Sequence, residues 1–186
     1  MGMDVYGLKP KTEKGAYFRN NVWYWHPLWD YCCELSPELT SKVESGHDNS
    51  GDGLNAVDSR KLGFAVRDSV EDGSAEIYIT EYYCQINALP DSSCHCTRNP
   101  LTFPIKQNNL PKDITVLLQD LLGSFNTSST KVMEIPDIEK VDPNPECNTC
   151  KGTGSQPNWN KSYHLNLENI QNFAEFLIDC GGFQIC

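Results

Sequence analysis

The sequence predicts a mainly helical α+β fold with a small β component, a single domain over residues 1–186 closed by a cysteine knuckle. Three observations predict it. Apolar residues recur at helical spacing in several segments, the few strand-like runs are short, and Cys147-Asn148-Thr149-Cys150-Lys151-Gly152-Thr153-Gly154 reads as a complete C-x-x-C-x-G-x-G turn. At 186 residues the chain can bury a core of its own, so the knuckle aids a fold that does not depend on it alone.

Asp4–Leu8 suits a short strand, and an aromatic stretch from Tyr17 to Trp25 follows. Pro27 is expected to open a helix, because the amide hydrogen it lacks has no partner in a first turn. Leu28, Tyr31, Cys32 and Leu35 then share one face until Ser36-Pro37 interrupts them, with Trp23, Trp25 and Trp29 expected in the core nearby. Residues 46–53 are rich in Gly and Asp and mark a loop, after which Asp58 or Ser59 is the expected helix cap.

Residues 62–86 match both templates. Leu62, Phe64 and Val66 alternate as in a strand, while Leu62, Ala65 and Val66, then Ile79, Tyr82, Tyr83 and Ile86, fit helices; two helices are the preferred reading. Pro111–Leu122 is a further expected helix, stopped by Gly123, and 124–146, with its Ser, Thr and Pro, is expected to be a long loop. The last helix is the best punctuated. Asn166 caps it, Leu167, Ile170, Phe173, Ala174 and Leu177 form its stripe, and Gly181-Gly182 ends it, so that Phe183 and Ile185 fold back on the core.

Fifteen Lys and Arg against 25 Asp and Glu give a net charge of -10, with no basic cluster, which argues against nucleic-acid binding. No apolar run reaches membrane-spanning length and the first residues do not read as a secretory signal, so a soluble, cytoplasmic protein is expected. In a reducing compartment nine cysteines act as thiols or metal ligands, and the sequons at Asn126 and Asn160 carry no weight.

Segments 94–96 and 147–154 are the expected zinc-binding pieces, with Cys94, Cys96, Cys147 and Cys150 as ligands of one structural Zn2+. A two-residue spacer lets one turn aim two sulfurs at an ion; the one-residue spacer of Cys94-His95-Cys96 strains that arrangement. His95 as a replacement ligand, a redox dithiol and plain buried thiols are the other readings. Four protein ligands leave no position for an activated water, so the expected ion is structural. It would close about 50 residues between Cys96 and Cys147, worth roughly 4 kcal/mol by analogy with a covalent crosslink. Cys32 is expected on the apolar face of its helix, and Cys84, Cys180 and Cys186 as small buried or terminal residues.

Asp48-Asn49-Ser50-Gly51-Asp52-Gly53 opens like a calcium-binding loop, but Ser59 stands where the bidentate carboxylate belongs. His26, His47, Asp48 and Asn49 form a candidate polar site, in which the two histidines meet in a cleft as acid or base. The usual nucleophile and nucleotide signatures are absent.

The knuckle resembles the zinc-binding repeats of DnaJ-type chaperones over eight residues, without a J-domain. More widely, Met1-Gly2-Met3-Asp4-Val5-Tyr6, Asn21-x-Trp23-x-Trp25-x-Pro27-Leu28, the Gly46–Leu54 loop and Asn169-x-x-x-Phe173-Ala174-x-Phe176-Leu177-x-x-x-Gly181-Gly182-Phe183 resemble an uncharacterised family of small bacterial and phage-encoded proteins with DnaJ-like knuckles. Its members carry two full knuckles where this chain has Cys94-His95-Cys96 as the first, and the resemblance brings no activity. The expected role is a structural-zinc module that binds a protein partner. A small enzyme using the 46–53 loop on a small polar substrate, and an acidic mimic of nucleic acid, stay open beside it.

Overall fold

The computed structural model describes residues 2–97 and 142–186; the expected helix at 111–122 and most of the expected loop at 124–146 lie outside them. The mainly helical α+β class is what forms. The chain divides into two compact units, Met1–Pro90 with Pro157–Cys186, and Asp91–Gln156, the second interrupting the first in sequence.

In the larger unit, β1 (Gly2–Gly7) is the central strand of an antiparallel sheet, with β2 (Tyr17–Asn21) on one side and β5 (Phe183–Ile185) on the other. Val5 faces Phe18 and Ile185 in the two registers. Period-2 alternation buries Met3 and Val5 on one face of β1.

Helix α1 spans Val22–Leu35, so it begins five residues before Pro27 rather than at it. Its cap is Asn21, whose side-chain oxygen accepts from the amides of Trp23 and Tyr24 at 3.0 and 3.2 Å. Pro27 therefore sits inside the helix, where it cannot donate to the Trp23 carbonyl one turn back. That carbonyl is satisfied from outside: the His164 amide donates to it at 2.9 Å. Ser36 ends α1 as expected, and the short α2 (Pro37–Thr40) starts on Pro37.

The ambiguous stretch resolves into two helices, α3 (Ala56–Glu71) and α4 (Ser74–Ala88), joined through Asp72-Gly73. The cap of α3 is Asn55 and not Asp58 or Ser59; Asn55 Oδ1 accepts from the Val57 and Asp58 amides at 2.9 and 3.0 Å. Asp58 and Ser59 are instead buried in the first turn, Asp58 bonded to Lys42 Nζ at 2.7 Å. Helix α5 (Leu167–Asp179) follows the expected plan: Asn166 accepts from the Asn169 amide at 2.8 Å, and Ile170, Phe173, Ala174, Phe176 and Leu177 are buried. The four large side chains among these contribute on the order of 1.5–3 kcal/mol each by leaving water.

Phe183 and Ile185 fold back into the core as expected. Trp25 and Trp29 stack at 5.8 Å between centroids, Trp25 meets Phe173 edge-on at 5.5 Å, and Trp29 meets Phe183 at 6.3 Å. Trp23 departs from the expected tryptophan core. It is half-buried and pairs with the exposed Trp159 and with Tyr163, because its helical position turns it from the face that carries Trp25 and Trp29. Cys32 and Cys180 are buried, whereas Cys84 is exposed on α4. Among the described residues no helix is long and apolar enough to cross a membrane.

The smaller unit holds a two-stranded ladder, β3 (Ser92–Ser93) against β4 (Ser155–Gln156), followed after β3 by a 3-10 turn over His95–Thr97.

Candidate functional site

The cysteine centre lies wholly within the smaller unit. The β3–β4 ladder and a Cys94 amide bond to the Gly154 carbonyl at 2.8 Å hold the two cysteine segments side by side. In the knuckle, the Cys147 amide donates to Asn144 O at 3.0 Å, Lys151 to Cys147 O at 2.7 Å and Thr153 to Cys150 O at 3.0 Å. These turns demand left-handed backbone: Lys151, Gly152 and Gly154 have φ of 49°, 85° and 73°. At Gly154 a side chain is also excluded by space, since a Cβ would come 2.8 Å from Pro143 Cγ.

The four sulfurs converge, with Cys94 Sγ 3.7 Å from Cys147 Sγ, Cys96 Sγ 3.5 Å from Cys150 Sγ, and all four within 4.8 Å of one another. A disulfide needs about 2.05 Å, so these are not disulfides. Four sulfurs each at about 2.3 Å from one tetrahedral ion would lie about 3.8 Å apart, close to the Cys94–Cys147 and Cys96–Cys150 distances. Cys94, Cys147 and Cys150 are buried and Cys96 is half-buried. The set could hold a metal ion. The one-residue spacer of Cys94-x-Cys96 is accommodated because the 3-10 turn pairs each of these sulfurs with a different knuckle sulfur.

Backbone amides favour charge on the knuckle. The N–H groups of Cys150 and Thr149 draw the Cys147 thiol down to about 6, against burial. Burial opposes the same effect at Cys150, but the Gly154 amide, the Cys96 thiol and the Gly152 amide lower it overall. At Cys96 the Asn144 amide favours the thiolate, yet burial and the neighbouring sulfurs outweigh it and push the thiol up to about 12. A cation held by these sulfurs would displace their protons. His95 is not one of the converging ligands. Its ring is exposed, with Nδ1 3.6 Å from Cys94 Sγ.

The second candidate lies in the larger unit. His26 on α1 and His47 in the 46–53 loop meet, Nδ1 to Nδ1, at 2.9 Å, and His47 Nε2 lies 3.2 Å from Asp30 Oδ1. They line a cleft of about 510 Å³ with Pro27, Tyr82, Ile86, Asn160 and Tyr163. Burial, and then His47, lower the His26 pKa from the ordinary histidine value, with Asp30 opposing. Asp30 is the residue that sequence alone does not single out; its i,i+4 spacing from His26 on α1 is the signal that carries it.

Asp48 and Asn49 do not line this cleft. Asn49 Nδ2 donates to Gly2 O at 3.1 Å, an architectural bond. Asp52 is likewise committed to the loop: its oxygens accept from the Ser45 and Gly53 amides at 3.0 and 2.8 Å, and the Ser45 amide leads in lowering its pKa. The loop's glycine content has a packing cause at Gly46, where a Cβ would fall 2.0 Å from Trp29 Nε1 and where the carbonyl accepts from Trp25 Nε1 at 2.8 Å.

In comparisons with known proteins, no family model, no curated protein and no solved structure matches this chain.

Proposed function

We propose that Cys94, Cys96, Cys147 and Cys150 bind one structural zinc ion, and that the protein serves as an accessory module that docks a protein partner. The observation that carries the first part is the convergence of four sulfurs within 4.8 Å of one another. An all-sulfur set suits zinc, and with four protein ligands the ion has no open position for a substrate or an activated water. The likeness of the knuckle to DnaJ-type repeats supports zinc and brings no chaperone activity; the wider resemblance supports a role in bacteria or their phages. Metal analysis of the purified protein tests this: one zinc per chain is expected, lost in Cys147→Ser and in Cys150→Ser. A metal-free wild type that keeps its thermal stability counts against it.

A groove on the larger unit supports the partner reading. It measures about 440 Å³ and is lined by Lys11, Arg60 and Lys61 around the apolar Val57, Phe64 and Ile178. Val57 and Phe64 are exposed, and these three cations make no ion pair among the described residues. On a chain of net charge -10, cations gathered around an apolar floor suit an acidic segment with an apolar anchor. Affinity capture from the native host should recover a stoichiometric protein with wild type and lose it with the double variant Val57→Asp, Lys61→Glu. Equal recovery with both, or recovery with neither, overturns the docking role.

A further inference from the structure

The histidine cleft carries chemistry of its own, independent of the cysteine centre and of the docking groove. His26 and Asp30 stand one turn apart on α1, and the His47 ring bridges them, Nδ1 toward His26 and Nε2 toward Asp30. A carboxylate only accepts, so Asp30 at 3.2 Å favours a proton on His47 Nε2, and in the neutral ring that leaves Nδ1 as a lone pair. Two lone pairs cannot face each other at 2.9 Å, so beside neutral His47 it is His26 that donates, through its own Nδ1. In that state the unprotonated nitrogen of His26 is Nε2, on a ring that lines the cleft.

We propose that Asp30 and His47 hold His26 as the general base of a hydrolytic site for small, uncharged aryl esters. The walls define the class of substrate. Tyr82, Tyr163, Ile86 and Pro27 offer planar and apolar surface, and the Asn160 side-chain amide supplies a donor for a carbonyl oxygen. The Asp30 carboxylate, on a chain of net charge -10, repels anions. The groups facing His26 are Asp30 on its own helix, His47 from the loop, Tyr82 from α4 and Tyr163. Tyr82 stays protonated, since burial first and Tyr83 next push its phenol up to about 12.

In the step, His26 Nε2 takes a proton from water as the water oxygen bonds to the acyl carbon. The bond from that carbon to the aryl oxygen then breaks. The imidazolium returns its proton to the departing aryloxide, so one ester and one water give one carboxylic acid and one phenol, with no redox change. His26 is the catalytic residue, and His47 and Asp30 are positioning residues.

The test uses the full-length protein with p-nitrophenyl acetate. Expected are saturable turnover, about 100-fold loss of kcat in His26→Gln, and about tenfold loss of kcat at unchanged KM in His47→Gln and Asp30→Asn. Histidine 15N spectra of wild type, which need no variant, should show His26 protonated at Nδ1 and His47 at Nε2. Turnover no faster than free imidazole at equal concentration overturns the proposal, as does His26→Gln within twofold of wild type or a His26 proton on Nε2.

Discussion

Gly154 combines a φ of 73° with a Cβ position 2.8 Å from Pro143 Cγ, so strain and steric exclusion act on one atom there. Gly154→Ala is expected to destabilise the smaller unit by about 1–3 kcal/mol, read as faster transfer of the proposed zinc to a chromogenic chelator. At His26 the sign of a pH effect follows from the lowered pKa. Below the ordinary histidine value of about 6.5 the unfolded chain takes up a proton that the folded chain resists, so this residue's contribution favours folding less as pH falls through that value toward the folded pKa. Urea unfolding between pH 7.5 and 5 should therefore show stability dropping on the acid side, and His26→Gln should flatten that drop. The same residue illustrates what composition conceals: His26 and His47 are legible in the sequence as partners in a cleft, but Asp48 and Asn49 attract attention by adjacency alone. The group that meets the pair is Asp30, one helical turn from His26 and 3.2 Å from His47.

Three asparagines, Asn21, Asn55 and Asn166, each accept first-turn amides of a principal helix. Each replaced by Ala should cost about 1 kcal/mol, and because they serve separate helices the triple variant should show nearly the sum in chemical denaturation. Pro27 should behave unlike most helical prolines. Its missing bond is compensated by the His164 amide at the Trp23 carbonyl, so Pro27→Ala should shift stability by under about 1 kcal/mol rather than the 3 kcal/mol that an interior proline often costs. Leu177→Ala, at the buried stripe of α5, should cost about 2–5 kcal/mol. The last helix was legible because cap, stripe and glycine stop agree. The start of α1 was not, since Pro27 mimics a first-turn residue and the bond that lets it sit deeper comes from more than a hundred residues away. Asn55 was obscured by Asp58 and Ser59, equally good caps by residue type, which the fold draws into burial and ion pairing instead.

Across the molecule, the cysteine set was legible because ligand chemistry restricts which residues can converge, whatever fold brings them together. The division into two units was not read from the sequence, although its trace is there: Trp and Tyr stop after Tyr83 and resume at Trp159. Chelation of the proposed zinc should open residues 91–97 and 142–156 to protease while fragments from the larger unit persist, since its core contains none of the four converging cysteines. Cleavage spread evenly through the chain would contradict this. All four tryptophans and all eight tyrosines belong to the larger unit, and none to Asp91–Gln156. Near-ultraviolet emission excited in these rings consequently monitors only one unit. Cobalt substituted at the cysteines would give the other its own visible absorption band, so two colours of light suffice to follow the two units separately in a single cuvette.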